Sequence, residues 1–136
     1  AAAFGTLLRD GTSVPTRLSE LTIAMAARHW GAQWEWRSHA PKGIKAGLKP
    51  DVLEAIRQRQ RPTFTQADEA ATYDYVSELL EKKRVSEPTY QALVSALGVN
   101  GAIELTVVAG FYCLIAMLIQ GLDIALPEGI ERPLPE

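Results

Sequence analysis

The segment Gly31–His39 combines two tryptophans with a carboxylate and an imidazole. Glu35 and His39 are four residues apart, so on a helix they lie on one face. A histidine can accept or donate a proton near pH 7, and a neighbouring carboxylate orients it. Trp34 and Trp36 could supply a desolvated wall beside this acid–base pair. The segment therefore predicts the wall of a small pocket; the alternative is a Glu–His surface pair flanked by core tryptophans.

A second carboxylate, Glu20, comes from the helix that precedes this segment. That helix is predicted over residues 15–29, with Ser13 as its cap and Pro15 in its first turn. Its apolar-leaning stripe consists of Leu18, Leu21, Met25 and His29. Glu20 is expected in the first turn, where the helix dipole favours a carboxylate. That position alone would explain Glu20 structurally.

Three runs of the chain then carry a family resemblance: residues 17–23, residues 31–39 and residues 110–129. They resemble the carboxymuconolactone decarboxylase family, which includes the alkylhydroperoxidase D proteins. The resemblance covers nearly the whole chain. It implies an all-α, single-domain helical bundle of the alkylhydroperoxidase D-like type over residues 1–136, assembled as a homotrimer or homohexamer.

In the redox branch of that family, a glutamate is followed after eleven residues by Cys-x-x-Cys and after three more by histidine. On this chain Glu20 matches the glutamate and His39 the histidine, whereas Ala32 and Glu35 stand at the cysteine positions. The spacing is kept and the thiols are absent. Thiol peroxidase chemistry therefore lacks its nucleophile.

The resemblance implies a cofactor-free acid–base enzyme, a decarboxylase-like lyase acting on a small carboxylated lactone or related organic acid. His39 would carry the proton, Glu35 would orient the His39 ring, and Glu20 would reach the same pocket. The predicted substrate-binding residues are Trp34, Trp36 and Tyr112. Two alternatives stay open: the same fold with isomerase or hydratase chemistry, and a non-catalytic oligomeric binding protein.

Other chemistries find little support in the residues. The two histidines, His29 and His39, are ten apart on different predicted helices, and no cysteine cluster accompanies them, so we expect no metal site. The one cysteine, Cys113, stands in the most apolar helix, where a thiol behaves as a small hydrophobe. The chain has no phosphate loop or dinucleotide fingerprint, and no cofactor is expected.

Composition points to a soluble globular domain in the cytoplasm. The 136 residues are 47% hydrophobic and 22% charged, with a net charge of −2. This charge would not attract nucleic acid or an anionic membrane, and a single cysteine fits a reducing compartment. No signal peptide is evident. Because the chain begins at Ala1 rather than Met, we expect that leading residues are missing.

No stretch alternates like a half-buried strand, so every element is predicted to be a helix. The predicted helices cover residues 1–8, 15–29, 32–46, 51–58, a segment from the cap Thr65 to residues 81–84, residues 86–98, and residues 101–122 capped by Asn100, before an extended tail over 127–136. The last helix is almost wholly apolar and could span a bilayer by length. Glu104 within it, and the ordinary amphipathic helices elsewhere, favour a buried subunit contact instead.

Overall fold

The computed structural model describes residues 2–136, apart from the side chains of residues 2 and 8–10. These residues form helices and connecting loops, with no strand among them, which confirms the all-α prediction. The helices are α1 (Ala2–Asp10), α2 (Thr16–Trp30), α3 (Gln33–Ala46), α4 (Pro50–Arg57), α5 (Ala67–Lys82) and α6 (Glu87–Gly121). The first helix thus runs two residues beyond its predicted end, and the predicted position of Ala1 lies outside the described residues.

Helix α2 is the centre of the bundle. It packs against α3, α4, α5 and α6, and every residue from Leu18 to Arg28 is buried. The alanines at 24, 26 and 27 let neighbouring helices approach closely because they present little side chain. Any polar side chain on this stretch of α2 is consequently held inside the protein, where it needs a partner.

A two-residue turn folds α3 back along α2. Gly31 has φ +66°, and the N–H groups of Gly31 and Ala32 bond to the carbonyls of Arg28 and Ala27 at the end of α2. This left-handed cap suits glycine, because a Cβ at such a φ is strained. The short turn makes α2 and α3 antiparallel neighbours, so the start of α2 faces the second half of α3.

Three predicted helix caps are wrong. The N-cap positions of α2 and α5 are Pro15 and Gln66, and neither helix has a side-chain cap hydrogen bond, so Ser13 and Thr65 do not cap. Ser13 Oγ instead donates to Glu104 on α6 at 2.5 Å, tying the α1–α2 loop to that helix. A longer-range acceptor therefore outcompetes the local backbone for the Ser13 hydroxyl.

The third wrong cap lies in α6. The helical backbone is broken at Gly98, with φ +74° and ψ 171°, two residues before the predicted cap Asn100. The break between two helical segments was therefore predicted correctly at Gly98, but Asn100 is inside the continuing helix. Glycine is suited to this conformation because it carries no Cβ.

The outer face of α6 is exposed. Its large exposed apolar side chains are Val99, Ile103, Val107, Leu114, Met117 and Leu118, and we call this set the α6 face. Among residues 2–136, α6 is the one helix long and apolar enough to cross a membrane by length and composition. Only 39% of its most apolar 18-residue window is buried within the chain. The opposite side packs on α2, with Val108 and Tyr112 in one buried cluster with Ile23.

Candidate functional site

Three ionisable side chains meet in the interior between α2 and α3. His39 Nδ1 lies 2.8 Å from Glu20 Oε2, and His39 Nε2 lies 3.5 Å from Glu35 Oε2. The exposed fractions are 2% for Glu20, 5% for His39 and 9% for Glu35. We call these three residues the acid–base triad. Their contact was predicted from the sequence, whereas a role in catalysis stays a prediction.

The backbone explains how each member reaches the others. Glu35 and His39 are one helical turn apart on α3, so their side chains lie on the same face. Glu20 projects from α2 onto that face because the turn at Gly31 sets the two helices side by side. Contrary to the sequence prediction, Glu20 is not in the first turn, since α2 begins at Thr16 and has no acidic residue there. The helix dipole therefore does not account for this buried carboxylate.

The geometry of the triad limits where its protons can be. Both ring nitrogens of His39 face a carboxylate oxygen. Nδ1 lies at hydrogen-bond distance from Glu20, so one proton is shared between these two atoms. Nε2 and Glu35 Oε2 are 3.5 Å apart, which is a charge contact rather than a hydrogen bond. Such a cluster can pass a proton between His39 and Glu20 with little movement, because the two atoms are already at hydrogen-bond distance.

Helix α6 closes the triad from the other side. The rings of His39 and Tyr112 meet edge to face, with centroids 5.3 Å apart and planes at 76°. Tyr112 is 4% exposed, so it shields the imidazole from water. The predicted proximity of Tyr112 to the site is thus present, and it comes from the same chain.

The two tryptophans do not act together at the triad. Trp36 is buried in the main core cluster, and Trp34 is 41% exposed beside a cavity formed with the C-terminal tail. Residues two apart on a helix point to different sides, so Trp34 and Trp36 could not both line one wall. The tail is fixed nearby, where Gln33 donates to and accepts from the backbone of Leu134.

A cavity of about 560 Å³ opens beside one member of the triad. It is lined by Pro15, Thr16, Arg17, Glu20, Lys42, Lys45 and Ala46, and we call it the Glu20 cavity. Glu20 reaches it, whereas His39 and Glu35 lie behind Glu20 and are not part of its lining. A molecule in the cavity would therefore meet the triad through Glu20.

Of the three cations that line the Glu20 cavity, Arg17 is paired with carboxylates of the protein, whereas the two lysines are not. Arg17 Nη2 lies 2.7 Å from Asp68, and its other terminal nitrogen lies 2.5 Å from Glu69. The hydrogen bond from Arg17 lowers the pKa of Asp68, and the same bond raises the pKa of Arg17. Lys42 and Lys45 are exposed and form no ion pair with the described residues. They are the cations at the cavity that could meet an anionic substrate.

Sequence reasoning did not identify the two lysines as site residues. They follow His39 at intervals of three along α3, so they lie near one side of the helix, progressively closer to its C-terminal end. That spacing was the available signal. It gains meaning only once α2 is known to pack on this side of α3.

The arrangement of the described side chains also bears on metal binding and on the reactivity of the cysteine thiol. Among the side chains that the structure describes, no group of three or more His, Cys, Asp or Glu residues is arranged to hold a metal ion. In the triad the carboxylates lie on opposite ring nitrogens and do not converge on one point. Burial raises the pKa of the Cys113 thiol, which lowers its reactivity as a nucleophile.

The chain was compared with protein families, curated proteins and solved structures. No family model, no curated protein and no solved structure matches the chain. The resemblance to the carboxymuconolactone decarboxylases accordingly remains a prediction that rests on residues 17–23, 31–39 and 110–129, including the spacing of Glu20 and His39.

Proposed function

We propose that this protein is a cofactor-free acid–base enzyme of the carboxymuconolactone decarboxylase type, with an alkylhydroperoxidase D-like fold, acting on a small carboxylated lactone or related organic acid. One observation carries the proposal: a buried Glu20–His39–Glu35 cluster touches a lysine-rimmed cavity through Glu20. Buried carboxylates are rare unless paired. A paired one that lines a cavity is a natural place for proton transfer.

The proposed reaction begins with the substrate anion in the Glu20 cavity. Lys42 and Lys45 hold its anionic or carbonyl oxygens by charge. The bond between the substrate carbon and its carboxylate breaks, CO2 leaves, and the electron pair moves into the conjugated carbonyl as an enolate. A lysine ammonium balances the new charge on the enolate oxygen.

The triad then supplies the proton. Glu20 in its carboxylic acid form donates to the substrate carbon, and His39 Nδ1 returns a proton to Glu20 across their hydrogen bond. Glu35 faces the other ring nitrogen and stabilises the charged imidazolium. Water in the Glu20 cavity finally restores the proton to the triad through Glu20. Proton transfer of this kind contributes about 10²–10⁴-fold to a rate.

Isomerisation is the second candidate, and the lining of the cavity favours it. The apolar wall expected from Trp34 and Trp36 is not part of the Glu20 cavity, although a departing carboxylate is best seated in an apolar place. Lysines beside a carboxylate base suit abstraction of a proton next to a carbonyl, since they stabilise the resulting enolate. Glu20 would then remove the proton and return it to a different carbon.

One experiment tests both reactions. The protein is incubated in D2O with a panel of small carboxylated lactones, and products are followed by NMR. Decarboxylation gives CO2 and one deuterium on the former carboxylated carbon, whereas isomerisation moves the double bond without CO2 and introduces deuterium only where the Glu20 proton exchanges with D2O before its return. We expect the reaction to be lost in Glu20→Gln and His39→Asn and kept in Glu78→Gln, a carboxylate near the C-terminal end of α5 that is bound to Ser86 and Thr89 and does not line the Glu20 cavity. Turnover that survives both triad variants would contradict the proposal.

The proposed enzyme is also a homo-oligomer, a homotrimer or homohexamer, that buries the α6 face against further copies. This face is larger and more continuous than isolated surface apolar residues. Gly110 lies on it with no atom within 4 Å of the position of a Cβ, which would let a second helix approach closely. A bilayer is a poorer partner, because α2 and α5 pack alongside α6 and would enter the membrane with it. Light scattering that finds a soluble monomer at micromolar concentration would contradict this assembly.

A further inference from the structure

A second cavity, of about 370 Å³, lies at the opposite end of α2 from the Glu20 cavity. It is lined by Met25, Arg28, His29, Ile56, Arg59, Tyr73, Ser77, Leu80 and Glu81, and we call it the Arg28 cavity. Arg28 follows Glu20 by eight residues on α2, which places the two about 12 Å apart along the helix axis. The two cavities share no lining residue.

Arg28 is a buried cation that no carboxylate balances. Its side chain belongs to a residue only 7% exposed, and its Nε donates to the backbone carbonyl of Arg57 at 2.7 Å. No carboxylate of the described residues lies within ion-pair distance of it. Burial lowers the pKa of Arg28, and the positive charges of Arg59 and Arg57 lower it further. A buried charge normally has a partner.

Two other arginines are paired with carboxylates. Arg17 binds Asp68 and Glu69, and Arg57 binds Glu54. Arg28 is less exposed than either of these cations. Arg28 is therefore distinguished by being buried and, among the described residues, without a carboxylate partner.

Arg59 adds a second cation to the cavity in an unusual backbone conformation. Its φ is +57°, in the left-handed region where a side chain is disfavoured and glycine is the residue of least strain. The conformation itself ends α4, because the N–H groups of Arg59 and Gln60 bond back to Ile56 and Ala55. The turn explains the backbone but not the choice of arginine. Its side chain lines the cavity that contains Arg28.

The remainder of the lining is apolar or neutral, apart from Glu81 and the neighbouring His29. Met25, Ile56 and Leu80 provide an apolar surface, and Tyr73 and Ser77 provide hydroxyl groups. Glu81 is the one acid in the lining; its side chain is 64% exposed and lies 3.5 Å from His29 Nδ1. That carboxylate faces the imidazole and solvent, so it does not neutralise Arg28.

We propose that the Arg28 cavity binds a small organic carboxylate whose apolar body rests on Met25, Ile56 and Leu80 while its carboxylate lies between Arg28 and Arg59. A guanidinium can bind a carboxylate through two parallel hydrogen bonds. The volume lies in the lower range of ligand pockets, and the lining combines apolar surface with two cations. The site is independent of the proposed reaction at Glu20.

Calorimetric titration of the full chain with benzoate tests the site. Benzyl alcohol, which has a similar body and no charge, and sulfate, which has charge and no apolar body, are titrated alongside. We expect benzoate to bind at least tenfold more tightly than either. Binding should weaken at least tenfold in Arg59→Gly, which suits the positive φ, and in Arg28→Gln, but not in Arg84→Gln, an exposed arginine outside the lining.

Several results would overturn the proposal. Benzoate affinity that is undetectable at 10 mM, or unchanged in Arg59→Gly, would remove the site. If sulfate binds as tightly as benzoate, the cavity is a simple anion site, and the proposed contact of an apolar ligand body with Met25, Ile56 and Leu80 is refuted. If Arg28→Gln unfolds, the decision rests on Arg59→Gly and on NMR mapping, where benzoate should shift the amides of Ser77 and Leu80 and leave Lys42 unshifted.

Discussion

Replacing the imidazole of His39 by a ring without nitrogens distinguishes two contributions of the acid–base triad to stability, namely its polar contacts and its packing. His39→Phe keeps an aromatic ring beside Tyr112, where the native rings meet at 5.3 Å, but removes both nitrogens that face carboxylates. Glu20 and Glu35 then lose the imidazole between them. Breaking a buried ion pair by deleting one partner destabilises a protein by about 3–5 kcal/mol. Because two carboxylates are affected, we expect His39→Phe to lower the free energy of unfolding by at least about 3 kcal/mol.

A second substitution should reverse much of that loss. Glu20→Leu in the His39→Phe background removes the most buried carboxylate of the triad, which is 2% exposed. An apolar pair of similar volume can be nearly as stable as a buried ion pair. The double variant should therefore be more stable than the sum of the single effects predicts, by about 1–3 kcal/mol.

Urea denaturation at pH 7 and constant protein concentration measures this cycle. The matched control is the exposed pair Arg61–Asp74, whose side chains are 54% and 43% exposed and lie 3.0 Å apart. Alanine substitutions there should couple by only about 0.2–1 kcal/mol. A triad coupling no larger than that of the surface pair would refute the view that these buried groups depend on one another for their charge balance.

Three further predictions follow from other parts of the fold. Leu114→Glu, which places a charge on the α6 face, should dissociate the assembly in light scattering, whereas Lys83→Glu should not. Cys113→Ser should leave turnover intact and lower the free energy of unfolding in urea by about 1–3 kcal/mol. Since burial raises the pKa of Cys113, the wild-type thiol should react slowly with a disulfide reagent at pH 7. Asp68→Asn should lower stability at pH 7 by about 1 kcal/mol. Because Arg17 lowers the folded-state pKa of Asp68, its stabilisation is present above the unfolded pKa and lost as pH falls through the folded pKa, so wild type and Asp68→Asn should converge in acid.

Local periodicity was enough to predict the helices and the pairing within α3. The four-residue spacing of Glu35 and His39 places both on one face, and they meet in the structure. The same rule applied to Trp34 and Trp36 would have separated them, since they are two residues apart. Their exposed fractions of 41% and 5% show the difference.

Properties that depend on neighbouring helices could not be read from the sequence. The sequence predicted that α6 is too apolar to be exposed on all sides, but not which side the chain itself covers. Val108 is fully buried against α2, whereas Val107 is 42% exposed. Likewise, the cavity that Arg59 forms with Arg28 requires the packing of α5 on α2.

Helix α6 connects the proposed site with the proposed assembly. Tyr112 packs against His39 on the inner side, and Leu114 lies two residues further on the α6 face. A second copy that covers the α6 face would fix the position of α6 and hence of the ring that shields the imidazole from water. Dissociation by Leu114→Glu should then lower turnover as well, although Leu114 does not line the Glu20 cavity. Full activity in a dissociated Leu114→Glu variant would show that the acid–base triad is complete within one chain and that assembly serves stability alone.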